Sequence, residues 1–117
     1  MSAAYSVIST LNKDCSMMYD SANLKKLKTM KELAPEAMGA FNALNDAVFK
    51  DGALTLKVKE LIAVAVAVTT QCPYCIEVHV KKAKAAGATE AELTEATLVA
   101  AALRAGGAVT HGTHAIA

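Results

Sequence analysis

An alanine-rich apolar segment that meets a second, amphipathic segment at a Cys-Pro corner constrains the fold of this chain more than any other feature. The first segment, residues 55–70, begins with Thr55, whose hydroxyl suits a helix N-cap. Its Ala/Val alternation has strand period, but its length and alanine content favour a helix buried nearly all round. Pro73 fits the first position of a second helix, which needs no backbone N–H, and Gly87 fits the exit of that helix. The sequence therefore predicts a central αα-hairpin over about residues 55–87.

The N-terminal part of the chain also has helical periodicity. Apolar residues recur at spacings of three and four over residues 3–20, which predicts an amphipathic helix. A further apolar stripe continues to Ala34, where Pro35 imposes a break and opens the next helix, expected over residues 36–49. We interpret residues 1–33 as a helical N-terminal extension of one domain that spans the chain.

The C-terminal part carries another helix signal. The run Thr89-Glu-Ala-Glu fits a capping box at a helix start. We expect Gly106-Gly107 to interrupt this helix, and a short final helix over residues 109–116. Phe41 and Phe49 are interpreted as core. With no strand predicted, the fold class is all-α: a compact bundle of about five to seven helices.

Composition excludes several classes of function. The 117-residue chain has a net charge of +1 and no Trp, so it lacks the basic track and stacking platforms of a nucleic-acid binder. Its longest apolar run is far shorter than the roughly 20 residues of a membrane span, and no signal peptide is recognisable. Three cysteines, two of them in a CxxC, do not resemble a secreted disulfide framework. We expect a soluble cytoplasmic protein that binds neither nucleic acid nor membrane.

Two thiols and an imidazole share one face of the second predicted helix of the hairpin. Cys72, Cys75 and His79 follow one another at spacings of three and four, so at about 100° per residue they project to one side. Glu60 of the preceding helix could meet His79 across the hairpin, given a modest offset or a bridging water. The four residues would then form a site in which Glu60 orients the imidazole and the imidazole assists deprotonation of a thiol.

Either cysteine of the pair could be the reactive thiol. The thiolate is the reactive form, and a free thiol is mostly protonated at neutral pH. Cys72 lies at a predicted helix N-terminus, which favours an anion, whereas Cys75 lies one turn from His79. The CxxC spacing also allows the two sulfurs to close a disulfide, so that one cysteine attacks and the other resolves.

Other chemistry-bearing residues have simpler interpretations. Cys15 is interpreted as a buried structural thiol, and Tyr74 as a packing or interface residue that points away from the sulfur face. His111 and His114 could join the two CxxC cysteines in a zinc site, although zinc ligands normally come as separated pairs. A thioredoxin-like protein is excluded because its CxxC would follow a strand.

The stretch from about Leu54 to Ala96 resembles the carboxymuconolactone decarboxylase superfamily, specifically its alkylhydroperoxidase D-like branch. The resemblance is carried by Glu60, by Cys72-Pro-Tyr-Cys75, by His79 and by Gly87-Ala-Thr-Glu-Ala-Glu92. It implies an all-α homo-oligomer, a trimer or hexamer. It also implies that Cys75 and His79 carry out peroxide chemistry, that Cys72 forms the disulfide and that Glu60 completes a proton relay.

The resemblance further implies a function. We expect an antioxidant thiol enzyme that reduces hydroperoxides or disulfides without a tightly bound cofactor. An external dithiol would re-reduce it, supplied by a lipoylated or thioredoxin-like partner protein. Alkylhydroperoxidase D itself carries a histidine between the cysteines, where this chain has Tyr74. The alternatives are a carboxymuconolactone decarboxylase-like lyase and a non-catalytic redox-sensing or metal-binding oligomer.

Overall fold

The described part of the chain, residues 19–117 of a computed structural model, is all-α, as predicted. Its helices are α1 (Lys26–Leu33), α2 (Pro35–Val48), α3 (Leu56–Thr69), α4 (Pro73–Ala85) and α5 (Glu90–Gly112), with short 3-10 segments at Ser21–Lys25 and Thr113–Ala115. None of these helices combines the length and apolar character needed to cross a membrane. Cys15 and almost all of the helix predicted over residues 3–20 lie outside the described residues.

The chain divides into two units, with the boundary after Asn42, inside α2. In the first unit, the 3-10 segment contacts α1, and the side chain of Asp20 caps that segment by accepting the N–H of Ala22 at 2.9 Å. The N–H of Ala34 closes α1, and Pro35 opens α2 as predicted. Pro35 can follow so closely because the first residue of a helix has no intrahelical use for its N–H.

In the second unit, α3 packs against both α4 and α5. Val64, Ala83 and Leu93, one from each of these helices, form a buried cluster. Ala83 is fully buried at its centre, where its small side chain leaves room for the neighbouring helices to approach closely. Thr55 caps α3 by accepting the N–H of Val58 at 3.3 Å. The predicted αα-hairpin is therefore confirmed.

The prediction that Gly106-Gly107 interrupts the last helix is wrong. α5 is one helix of 23 residues, and the helix expected over residues 109–116 is its continuation and the 3-10 turn that follows. A helical glycine costs about 1 kcal/mol relative to alanine, but it keeps its backbone donor and acceptor. The capping box at the start of α5 is confirmed, because Thr89 accepts the N–H of Glu92 and Glu92 accepts the N–H of Thr89.

The prediction that α3 is buried nearly all round is also wrong for the single chain. Val58, Ile62 and Val66 lie on one side at four-residue spacing and are 37%, 48% and 55% exposed. Its buried positions are Glu60, Val64 and Ala67. The apolar content of α3 therefore covers two faces, and only one of them packs within its own chain.

Replacing Gly106 and Gly107 by alanine should raise the free energy of unfolding by up to about 1 kcal/mol for each site. A Cβ added at either position meets no atom within 4 Å, so the gain in helix propensity is not opposed by a clash. Gly87→Ala is the matched control, because the φ of +95° at Gly87 strains an alanine and should lower stability. Urea unfolding measures all three variants. A loss of stability in Gly106→Ala would contradict an uninterrupted α5.

The start of α5 should make stability depend on pH. The hydrogen bond from Lys57, at 2.7 Å, and that from the Thr89 N–H hold the pKa of Glu92 below its ordinary value of 4.5. The folded state thus favours the carboxylate, so this stabilisation is complete above the unfolded pKa and is lost as the pH falls through the lower folded pKa.

Glu92→Gln should therefore lower the Tm at neutral pH, and the difference from the parent should shrink below about pH 4. Thermal unfolding followed by circular dichroism at a series of pH values measures this. Glu95→Gln, at an exposed position of the same helix, is the control and should change the Tm little. A Glu92→Gln difference of the same size at low and neutral pH would contradict the assignment.

Candidate active site

Cys72 lies at the corner between α3 and α4 and takes part in both helix ends. Its N–H donates to the carbonyl of Ala67 at 3.1 Å, which closes α3, and its carbonyl accepts the N–H of Ile76 at 3.0 Å, which opens α4. Gln71, immediately before it, has a φ of 55°, the left-handed conformation that this type of helix ending uses. The backbone of Cys72 is therefore fixed from both sides.

Cys72 and Cys75 form a disulfide at the first turn of α4. Their Cα atoms are 5.3 Å apart, a usual separation for such a bond. Cys72 is the N-cap of α4, and its Sγ also accepts the N–H of Cys75 at 3.3 Å. Free N–H groups at a helix N-terminus favour negative charge. A Cys72 thiolate formed by reduction would therefore keep a donor beside it.

Glu60 and His79 meet directly across the hairpin. The Oε2 of Glu60 and the Nδ1 of His79 are 2.7 Å apart, so the contact expected from the hairpin is present without a bridging water. The side chain of Glu60 is only 2% exposed and that of His79 is 18% exposed. The pair thus lies largely inside the protein, with the imidazole at its more accessible end.

The contact with Glu60 determines which nitrogen of His79 is free. An ionised carboxylate only accepts hydrogen bonds, so opposite an ionised Glu60 the Nδ1 is the donor of this contact. The Nε2 of the neutral ring then keeps its lone pair and can accept a proton. His79 lies one turn after Cys75 on α4. This arrangement suits a general base for a thiol; the catalytic roles of the four residues stay predictions.

Phe49 is a residue of the site that the sequence did not reveal. Its ring stacks on the imidazole of His79, with ring centroids 5.1 Å apart and planes inclined by 28°, and the Nζ of Lys82 lies 6.0 Å from its centroid. Phe49 is half-buried at the site. The prediction that Phe41 belongs to the core is wrong for the single chain, because its side chain is 58% exposed. Phe49 follows the end of α2, where helical periodicity no longer indicates what a side chain contacts.

An open cleft of about 510 Å³ reaches Glu60 from the side of Phe49 and Lys82. It is lined by the end of α2, the start of α3 and the last turns of α4. Neither the two cysteines nor His79 line the cleft, so Glu60 is the predicted site residue that it reaches.

The other residues considered from the sequence have contacts or positions of their own. His111 and His114 contact each other, with ring centroids 5.9 Å apart, and the ring of His111 contacts the carbonyl of Gly107 at 3.0 Å. Within residues 19–117, no three His, Cys, Asp or Glu side chains come together in a way that could hold a metal ion. Tyr74, between the cysteines, is half-buried, and its orientation away from the sulfurs stays a prediction.

Residues 35–117, which include every element of this site, match the model of the carboxymuconolactone decarboxylase family. The chain belongs to the carboxymuconolactone decarboxylase family. The resemblance carried by Glu60, the CxxC pair and His79 is thus confirmed at the level of the family. The disulfide between Cys72 and Cys75 is consistent with the alkylhydroperoxidase D-like branch of the family.

Relatives and solved structures agree with this membership. The chain is 56% identical over 78 residues, 67% of this chain and 70% of the other, to "uncharacterized protein 4 in cox locus" of Paracoccus denitrificans. A carboxymuconolactone decarboxylase family protein from Legionella pneumophila, solved in its apo form, has a TM-score of 0.66 and 41% identity over 68% of this chain and 71% of that chain. A protein from Methanobacterium thermoautotrophicum has a TM-score of 0.71 and 39% identity over 75% and 99%, respectively.

A double-mutant cycle should show strong energetic coupling between Glu60 and His79. His79→Ala leaves a buried carboxylate without its donor, which costs about 3 kcal/mol, so the double alanine variant should be more stable than the sum of the single losses predicts, by about 1–3 kcal/mol. Urea unfolding of the oxidised protein measures this.

The pair of Lys81 and Glu77 on α4, at 3.2 Å and with the lysine 76% exposed, is the matched control. Its coupling should stay near about 0.3–0.5 kcal/mol, because water screens an exposed i,i+4 pair. If the coupling between Glu60 and His79 is no larger than that of this surface pair, the buried contact does not have the energetic role assigned to it.

Proposed function

We propose that the protein is a thiol-dependent peroxidase or disulfide reductase that cycles Cys72 and Cys75 between dithiol and disulfide. The supporting observation is one juxtaposition on α4: the disulfide occupies its first turn, and the imidazole of the Glu60–His79 pair follows one turn later. A redox thiol site needs two sulfurs that can join and a base that can remove a thiol proton. Both occur here within one stretch of helix.

With a hydroperoxide, Cys75 acts as the nucleophile. The Nε2 of His79 accepts the thiol proton, and the Cys75 sulfur bonds to the terminal oxygen of the hydroperoxide as the O–O bond breaks. The other oxygen takes up a proton, for which protonated His79 is the donor, and leaves as the alcohol. Cys75 is thereby oxidised to a sulfenic acid.

Cys72 then resolves this intermediate. Its thiolate attacks the sulfur of Cys75, the hydroxyl group leaves with a proton as water, and the disulfide forms. An external dithiol supplies two electrons and two protons to restore both thiols. If that dithiol attacks Cys75, Cys72 is the leaving group, and the N–H of Cys75 beside its sulfur stabilises the departing thiolate. We propose a lipoylated or thioredoxin-like protein as the reductant and the cytoplasm as the compartment.

The protein is proposed to work as a homo-oligomer, with a trimer or hexamer expected from the family resemblance. In the single chain, five large apolar side chains of α5 and the segment after it are 60–78% exposed: Leu98, Val99, Leu103, Val109 and Ile116. Val58, Ile62 and Val66, the exposed side chains along one side of α3, add a second apolar surface. Burying such surfaces yields roughly 25 cal/mol per Å², and large exposed apolar patches are typical of interfaces.

A carboxymuconolactone decarboxylase-like lyase is the second candidate, favoured by the family whose model matches residues 35–117. Such an enzyme would not use its thiols as redox groups. Turnover of a carboxylated lactone by protein with alkylated cysteines would select the lyase. A disulfide that forms and is reduced without any turnover would select a redox sensor.

Cysteine variants test the peroxidase. Cys75→Ser should reduce consumption of cumene hydroperoxide, with a dithiol as reductant, to the uncatalysed rate, because it removes the nucleophile. Cys72→Ser should allow oxidation of Cys75 to the sulfenic acid but should form no intramolecular disulfide. Cys15→Ser, which removes the third cysteine, is the matched control and should retain activity.

Mass spectrometry before and after one equivalent of cumene hydroperoxide identifies each product. The parent should lose two hydrogens as the Cys72–Cys75 disulfide forms, and Cys72→Ser should gain one oxygen. Parental activity in Cys75→Ser would exclude Cys75 as the nucleophile.

A further inference from the structure

Lys59 binds the two carbonyl groups that flank Phe49. Its Nζ donates to the carbonyl of Val48 at 2.8 Å and to that of Lys50 at 2.5 Å. Lys59 belongs to α3, whereas the two carbonyls lie where α2 ends. The ammonium therefore ties the segment that carries Phe49 to α3 at the level of Lys59, and it does so on both sides of this one residue.

Glu60, the next residue of α3, binds His79 at 2.7 Å. Successive side chains of a helix diverge by about 100°, so Lys59 and Glu60 reach two different segments from one level of the helix. Those segments carry Phe49 and His79, whose rings stack at 5.1 Å. Two consecutive residues of α3 thus hold the two rings that contact each other.

Stacking on Phe49 restricts the rotation of the His79 imidazole and its exposure to water. A ring held against one face of His79 opposes rotation of the imidazole and covers part of it from water. A hydrogen bond shielded from water is electrostatically stronger, so the same ring protects the contact between Nδ1 and Glu60. The Lys82 ammonium, 6.0 Å from the Phe49 centroid, gives this ring a further contact with α4.

We infer that Phe49 and Lys59 are positioning residues for His79. Lys59 fixes the backbone around Phe49, and Phe49 and Glu60 together hold the imidazole in the orientation from which Nε2 serves the Cys75 thiol. The inference rests on the proposed role of His79 as the base. It predicts that a side chain contacting neither sulfur nor substrate controls the reactivity of the thiol.

Alkylation of the fully reduced protein tests this without any peroxide turnover. The rate at which iodoacetamide modifies Cys75 is measured against pH, with the site located by mass spectrometry. Phe49→Leu and Lys59→Met should lower this rate at neutral pH by about tenfold and shift the pH profile towards higher pH, because a misoriented base no longer assists loss of the thiol proton. In the hydroperoxide assay, the same variants should lower kcat and leave KM nearly unchanged.

The chain offers matched controls for both variants. Phe41→Leu alters an exposed phenylalanine of α2, and Lys57→Met alters a lysine of α3 that binds Glu92 instead; neither should change the profile. Phe49→Tyr keeps the ring, and Lys59→Arg keeps donors for two carbonyls, so both should behave like the parent. Circular dichroism and thermal unfolding establish that each variant folds. Because Phe49 and Lys59 are tested separately, the experiment still gives a result if the variant at one of these positions does not fold.

The outcomes separate this inference from the proposed function. If Phe49→Leu and Lys59→Met keep the parental profile while His79→Ala shifts it, the positioning role is overturned and His79 remains the base. If His79→Ala also keeps the parental profile, the proposed base and the positioning role both fail. If the profiles shift as expected but neither the parent nor any variant consumes hydroperoxide, only the proposed peroxidase activity is excluded, and the roles of His79, Phe49 and Lys59 stand.

Discussion

A carboxylate buried between helices is the constraint on which the rest of this structure depends. Removing a charge from water costs several kcal/mol unless hydrogen bonds replace the lost hydration. Glu60 therefore requires a donor inside the protein, and His79 supplies it. The contact spans α3 and α4, so it allows little variation in how the two helices slide past each other. No buried side-chain nitrogen or oxygen within the described chain lacks a partner, which shows that Glu60 is accommodated without leaving another polar group unsatisfied.

The first two turns of α3 organise the surroundings of that pair. Lys57 binds Glu92 at the start of α5, Lys59 binds the carbonyls around Phe49, and Glu60 binds His79 of α4. Within four residues, α3 thus contacts three other parts of the chain through charged groups. The apolar cluster formed with α4 and α5 lies further along the helix. Non-directional packing holds the three helices together, and the directional contacts at one end of α3 fix the groups where chemistry is proposed.

Sequence alone predicts those parts of the molecule whose causes are local. The hairpin follows from Thr55, Pro73 and Gly87, each of which meets a requirement of the backbone at its own position. The shared face of Cys72, Cys75 and His79 follows from the period of the helix, and that period also brings Glu60 into range once the hairpin is assumed.

Features with non-local causes could not be predicted in this way. The stack of Phe49 on His79 joins the segment at the end of α2, whose carbonyls Lys59 binds, to α4, and no periodicity encodes such a contact. The continuity of α5 depends on a balance in which two glycines are too weak to break a helix with a strong cap and many alanines. The apolar content of α3 indicates that much of its surface avoids water. It does not indicate which face packs against helices of the same chain and which face is left exposed.

At the corner, two backbone hydrogen bonds of Cys72 are independent of the disulfide that its sulfur forms. The N–H and carbonyl of Cys72 are engaged with Ala67 and Ile76, and neither bond involves the sulfur. Opening or closing the disulfide therefore requires rotation of two short side chains but no unwinding of a helix. In the proposed cycle, an electron pair would enter or leave here while the secondary structure stays the same, so the helices would hold the two cysteines in place through both redox states.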